Sequence, residues 1–94
     1  IIDSGAKMRK QKSYEEELAE AVSEVFRERR MLLGYTRQEV SRLTGLHRSY
    51  IGDLERSGRN ISVSNLSRMA EALRISPSKL LAKAERRLEQ ERVR

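Results

Sequence analysis

The chain has 94 residues, 36% of them charged, a net charge of +6 and no cysteine. That length bounds it at one small domain, and the missing cysteine excludes a disulfide framework and a thiolate metal site. The positive balance points to a polyanionic partner, either nucleic acid or an anionic membrane surface. Its longest apolar run, Met31-Leu32-Leu33, is far too short to span a bilayer. With no apolar segment of a secretory signal near residue 1, a cytoplasmic location and no membrane partner are expected.

Charge is spread unevenly. Residues 1–13 carry Lys7, Arg9, Lys10 and Lys12 against Asp3, whereas residues 14–33 carry six glutamates against Arg27, Arg29 and Arg30. The acidic first half of that second stretch should face away from a polyanion, or meet a basic partner. Residues 1–13 show neither helical nor strand periodicity and read as a flexible basic arm. Met8 is one candidate for the initiator, which would leave residues 1–7 outside the native chain.

Helix signals then follow one another to the end. Ser13 with Glu16 forms a capping box for a helix over 14–33, whose apolar stripe is Leu18, Val22, Val25 and Phe26, extended by Leu33. Gly34 stops it. Thr36 with Glu39 is a second capping box, opening a helix over 36–44 that Gly45 ends. A third helix covers 47–57. Val40 and Leu43, and again Ile51 and Leu54, sit at helical spacing on the apolar side, with Leu46 between them. Arg37, Gln38, His47, Arg48, Ser49 and Asp53 are the polar side chains, of types that bond phosphates and base edges. Two short helices joined by a glycine turn, with that polar set, are the pattern of a helix-turn-helix whose second helix enters the DNA major groove. Ser62 caps a fourth helix over 63–73, with Leu66, Met69, Ala70 and Leu73 inward. Ser76-Pro77 starts a fifth that runs almost to Arg94. No segment alternates like a strand, so the fold class is all-α: a compact five-helix domain over 14–81, with 82–94 as an extension of its last helix.

Residues 36–59 resemble the repressor/Cro-type helix-turn-helix of the lambdoid phages and the wider bacterial (XRE) family built on it. The resemblance covers about residues 22–81 and rests on the joint spacing of Gly34, Thr36, Glu39, Gly45, Ile51, Leu54, Glu55 and Gly58. Within that family, Leu46-His47-Arg48-Ser49-Tyr50-Ile51 followed by Glu55-Arg56 and Arg59-Asn60-Ile61-Ser62 is similar to the controller proteins of restriction–modification systems. Two positions depart from the family pattern. Arg37 replaces the usual glutamine at the second position of helix 2, and Ser41 replaces a small alanine. The resemblance implies a lambda-repressor-like fold, and a structural ion pair between Arg30 and Glu55 that locks geometry more than it adds stability.

Several residues are candidates for contact with DNA. Arg48 suits a bidentate bond to guanine O6 and N7; a phosphate contact or a solvated arginine is the alternative. His47 and Ser49, at the start of helix 3, suit a base edge or a phosphate. Tyr50 reads equally as a sugar or phosphate contact and as a half-buried core tyrosine. Asp53 could accept from cytosine N4, or orient Arg48 or Arg56. Arg37 and Gln38 sit at a helix N-terminus, which already favours phosphate, and Arg59 with Asn60 would clamp the backbone across the groove. One histidine without cysteine leaves no metal site, and no cofactor motif is present. Leu80, Ala84 and Leu88, spaced by four on the last helix, read as a homodimer seam.

The function these features imply is a sequence-specific regulator of transcription. It would bind a two-fold double-stranded DNA operator as a homodimer and either block RNA polymerase or touch it. An antitoxin-like interaction module with secondary DNA autoregulation is the alternative. Nothing here supplies a nucleophile, metal cluster or phosphate-cradling loop from which to build an enzyme.

Overall fold

The computed structural model describes residues 12–58 and 60–93, with Val93 placed by its backbone only. Among these residues there are five helices and no strand: α1 Tyr14–Leu32, α2 Arg37–Thr44, α3 Arg48–Arg56, α4 Val63–Ala72 and α5 Pro77–Val93. The arm expected over residues 1–13 lies outside the described residues, apart from Lys12 and Ser13.

Each helix starts where a side chain can satisfy its free backbone donors. The Glu16 N–H donates to Ser13 Oγ at 3.2 Å and the Ser13 N–H to Glu16 Oε1 at 3.0 Å. The same reciprocal bonds link Thr36 and Glu39, at 3.0 and 2.7 Å. Ser62 accepts from the Asn65 N–H at 3.0 Å and Ser76 from the Lys79 N–H at 3.2 Å. The stop after α1 is a Schellman motif. Gly34 takes φ +76, its N–H donates to the Met31 carbonyl, and the Tyr35 N–H donates to the Arg30 carbonyl. The stop after α4 has the same hydrogen-bond pattern with Arg74, at φ 61, in the glycine position.

The core gathers one face of every helix. Phe26, Val40, Ile51, Leu54, Met69, Leu73 and Leu80 are its largest fully buried side chains, each worth about 1.5–3 kcal/mol relative to exposure. Leu43, expected beside Val40 on the inner face, is instead 58% exposed. Thr44 takes the inner position with Val40, its hydroxyl donating to the Val40 carbonyl at 2.7 Å. The polar atom is therefore satisfied where it is buried.

The largest correction concerns α5. Leu80 and Ala84 are completely buried and Leu88 is 5% exposed within a single chain. Helix α5 packs chiefly on α1, with Leu88 beside Ala21. The line of three is therefore core, not a free seam for a second copy. The period-four pattern showed that this face is covered, and α1 is what covers it. Packing also continues past Leu81, so α5 has no break between domain and extension. Around this contact Arg87 donates to Glu24 at 2.9 Å and to Glu28 at 2.5 Å, and Arg92 donates to Glu17 at 2.6 Å. The α1 glutamates that sequence alone offered to a basic partner are thus largely paired in-chain, with Glu20 held by Lys12 at 2.7 Å. The bond from Arg87 also holds the Glu28 carboxyl below its ordinary range.

The recognition unit is fixed to this frame by a buried carboxylate. The Glu55 side chain is 1% exposed. Arg30, from the last turn of α1, donates to it through Nε at 2.6 Å and through Nη2 at 3.1 Å, and to the Tyr35 carbonyl through Nη1 at 2.9 Å. Arg37, from the first turn of α2, donates through Nε to the same carboxylate at 3.0 Å. One acid therefore ties α1, α2 and α3 together. Just past the same end of α3, Gly58 has φ +65 and packs so close to α1 that a Cβ would stand 2.2 Å from the Ala19 carbonyl oxygen. Only glycine fits there.

Two stability outcomes follow. Arg30→Met should lower unfolding free energy by about 3–5 kcal/mol, because it strips a buried charge of its main partner. The Arg30→Met/Glu55→Met double variant should recover much of that loss. Urea denaturation of the three proteins measures both. Leu88→Ala should cost about 2–3 kcal/mol with a change in melting temperature that is the same at low and high protein concentration, since the contact lies inside one chain.

Candidate nucleic-acid interface

The turn between α2 and α3 is held by two hydroxyl side chains that precede Gly45 and bond the backbone of the residue after it. The glycine takes φ +78, and its N–H donates to the Ser41 carbonyl at 2.9 Å. Ser41 Oγ donates to the Leu46 carbonyl at 2.6 Å, and Thr44 Oγ1 accepts from the Leu46 N–H at 3.1 Å. These two hydroxyls fix the angle between the helices, and sequence reasoning had assigned Ser41 only its small size and Thr44 nothing. Their signal was present, since serine and threonine in a last helical turn readily bond nearby backbone.

His47 caps α3. Its Nδ1 accepts from the Ser49 N–H at 3.1 Å, and the Ser49 hydroxyl lies 2.8 Å from the same nitrogen. A nitrogen that accepts a backbone bond carries a lone pair, so the ring proton sits on Nε2. His47 thus orders the first turn of α3 and has Nε2–H as its remaining donor. Past the cap, α3 divides into two faces. Ile51, Leu54 and Glu55 are buried, while Ser49, Asp53 and Arg56 form an exposed stripe at helical spacing. Arg48, at the first helical position, is exposed beside that stripe, with Nη1 3.5 Å from Gln38 Oε1 of α2. Gln38 and Arg48 therefore sit side by side where the two helices approach each other.

The other candidates divide. Asp53 pairs with Arg56, both largely exposed, which is the orienting role among those open to it. Tyr50 is half-buried, packs against the core, and its hydroxyl accepts from Asn65 Nδ2 at 3.0 Å. Its own O–H proton remains available to donate. Arg37 keeps 45% of its side chain exposed although its Nε is bound to Glu55. Asn60 is exposed with φ 59, in the left-handed region that asparagine tolerates better than most residues. Arg59 lies outside the described residues. The structure thus brings Gln38 beside Arg48 and His47 beside Ser49 around the α2–α3 turn, with Asp53 further along α3, whereas Arg37 lines a cleft with Glu20, Arg27 and Arg56. They combine cations with amide and hydroxyl donors. No helix among the described residues is long and apolar enough to cross a membrane.

This geometry has known counterparts. The helix-turn-helix family model matches residues 26–80, more than half of the chain. The control protein C.SmaI of Serratia marcescens is 36% identical over 67 residues, covering 71% of this chain and 80% of that protein. The crystal structure of the restriction–modification controller protein C.AhdI from Aeromonas hydrophila matches with a TM-score of 0.62 at 38% identity, over 67% of this chain and 94% of that one. The clp gene regulator ClgR from Corynebacterium glutamicum matches with a TM-score of 0.75 at 25% identity, over 81% of each chain. The two control proteins carry the likeness to restriction–modification controllers that the residues around Arg48 and Asn60 suggest. The chain belongs to the repressor/Cro-type helix-turn-helix family of DNA-binding transcription regulators.

Proposed function

We propose that this regulator acts as a homodimer on a two-fold operator, in the manner of a restriction–modification controller, with α3 in the major groove. The observation that carries this is the joint presentation of Gln38, Arg48 and Ser49 at the α2–α3 junction, on a recognition helix whose buried face is fixed by Glu55. Arg48 reads guanine, Ser49 and the Nε2–H of His47 bond a base edge or phosphate, and the exposed part of Arg37 with Gln38 anchors the backbone. Tyr50, through its hydroxyl proton, and Asn60 with Arg59 contribute phosphate contacts. Asp53 sets the position of Arg56. Two such helices related by a two-fold axis meet successive major grooves when half-site centres lie about 34–36 Å apart.

The dimer is built on a surface other than the α5 line. Leu80, Ala84 and Leu88 are consumed within the chain, while Met31, Leu32, Leu43 and Val63 are apolar and exposed. The protein works in the cytoplasm and controls transcription by excluding RNA polymerase or by contacting it.

Selection of bound sites from random DNA tests the assignment of Arg48. Wild type should return a palindrome with a guanine preference that Arg48→Ala relaxes, with affinity for the wild-type site lowered by about 1–3 kcal/mol. An unchanged preferred sequence in the variant would remove Arg48 as a base reader. If the dimer neutralises about six to ten phosphates, operator affinity should also drop by about 10³–10⁵ between 50 and 200 mM salt. Binding indifferent to both salt and sequence would sink the operator model.

A further inference from the structure

Glu55 has more positive charge around it than it can neutralise. Arg30 alone already gives the carboxylate two bonds, Nε to Oε2 at 2.6 Å and Nη2 to Oε1 at 3.1 Å. Arg37 adds a third, Nε to Oε1 at 3.0 Å. The cluster therefore sets two guanidiniums against one carboxylate, and one positive charge is left over. That surplus lies with Arg37. The Arg30 side chain is 14% exposed and its Nη1 is spent on the Tyr35 carbonyl, whereas the Arg37 side chain is 45% exposed. With Nε closed on Glu55, the terminal amino groups of Arg37 make no hydrogen bond among the described residues.

The surroundings leave this charge to an outside anion. Arg37 borders a cleft of about 460 Å³ that Lys12, Arg27 and Arg56 also line. The carboxylates of that cleft are already engaged: Glu20 by Lys12, Glu24 by Arg87, and Glu55 by its two arginines. Arg56 pairs with Asp53. Arg27 makes no ion pair among the described residues and only pulls through space on Glu28. An anion at Arg37 completes an alternating row of charge: Arg30, Glu55, Arg37, anion. Each charge-assisted bond in such a row strengthens the next. The row leads from solvent to the inner face of the reading helix, because Glu55 belongs to α3 and is buried there with Ile51 and Leu54. A simple phosphate anchor would need no bond to the core.

We propose that Arg37 is a positioning residue for sequence reading: its terminal amino groups take an operator phosphate while its Nε keeps Glu55, so that a seated backbone tightens the orientation of α3. This rests on the reading of Arg37 as a phosphate anchor. Base contacts need α3 at one angle, whereas contacts to phosphate alone do not. Loss of the bridge therefore weakens binding to the right sequence more than binding to any other.

The experiment compares the duplex that wild type selects from random DNA with a duplex of scrambled sequence, titrated at several salt concentrations. Arg37→Gln should lower the salt slope by about one per chain. Its ratio of operator to scrambled affinity should fall at least about fivefold. Arg37→Lys should keep the slope but still lose at least about threefold in the ratio, since an ammonium lacks the diverging fork of donors. Arg27→Gln removes a cation of the same cleft that has no bond to Glu55, and should leave the ratio within about twofold. In ¹⁵N spectra of the labelled wild-type chain, the Arg37 Nε–H signal, identified by its absence from Arg37→Lys, should persist when the selected duplex binds. An unchanged ratio in Arg37→Gln, a ratio fully kept by Arg37→Lys, or an equal loss in Arg27→Gln would overturn the proposal. So would an Nε–H signal lost on binding, which would mean that Arg37 leaves Glu55 for the phosphate. A lower slope with an unchanged ratio sinks the coupling alone, whereas no change in either sinks the phosphate contact with it. Arg30 still pairs Glu55 in every variant, and the wild-type spectra decide the matter even if one of them folds poorly.

Discussion

The position of the recognition helix depends on one buried carboxylate. Glu55 lies on the inner face of α3, 1% exposed, and its oxygens are shared by Arg30 of α1 and Arg37 of α2. A charge that far from water is tolerable only with its partners in place, so α3 has a single low-energy orientation against the two helices that carry them. Replacing the group with apolar side chains of similar volume would remove a desolvation cost, so its contribution is to geometry more than to stability. Gly58, just past the same end of α3, adds a steric constraint, since its backbone touches the Ala19 carbonyl more closely than any Cβ permits. Both constraints anchor the C-terminal end of α3, from which the exposed stripe of Arg56, Asp53 and Ser49 runs back toward the α2–α3 turn.

Arg37 shows how a departure from the family pattern becomes part of that lock. A glutamine at this position could cap or bond a phosphate, but it would bring no second positive charge to Glu55. Here the guanidinium Nε closes on the carboxylate while close to half of the side chain remains open to solvent. Guanidinium suits this because its donors diverge in a rigid fork. A phosphate bound at Arg37, as proposed above, would therefore bear directly on the geometry of α3.

What could be read in the sequence was what local chemistry determines. Helix starts at Ser13, Thr36, Ser62 and Ser76 depend on bonds to backbone three residues away, and each was legible together with the glycine stops. The all-α architecture follows from those starts and from the spacing of the apolar residues. Less legible was what lies opposite an apolar face. Periodicity showed that Leu80, Ala84 and Leu88 are covered, yet a stripe looks the same whether α1 or a second copy covers it. Leu43 failed for a related reason: two residues in each helical turn can satisfy an inward pattern, and a threonine whose hydroxyl finds backbone partners competes well with leucine. His47 was read as a contact residue, but its ring nitrogen is engaged in capping, a role that becomes visible only when the ring is seen over the Ser49 N–H. The bond from Arg37 to Glu55 joins residues 18 positions apart, beyond any local rule.

The same limit applies to charge. A net +6 and an acidic stretch in α1 suggest a basic molecule with one acidic face. Folding changes that picture by pairing. Arg87 and Arg92 of α5 cross to the α1 glutamates, and Lys12 takes Glu20. Exposed pairs such as these add little stability, but they cancel most of the negative field on the α1–α5 side. Among the described residues without an acidic partner are Arg48 at the α2–α3 junction and Arg74, Lys79 and Arg86 around the α4–α5 turn, on separate elements. At an ionic strength of about 0.15 M, fields decay over about 8 Å, so surfaces on different elements act nearly independently.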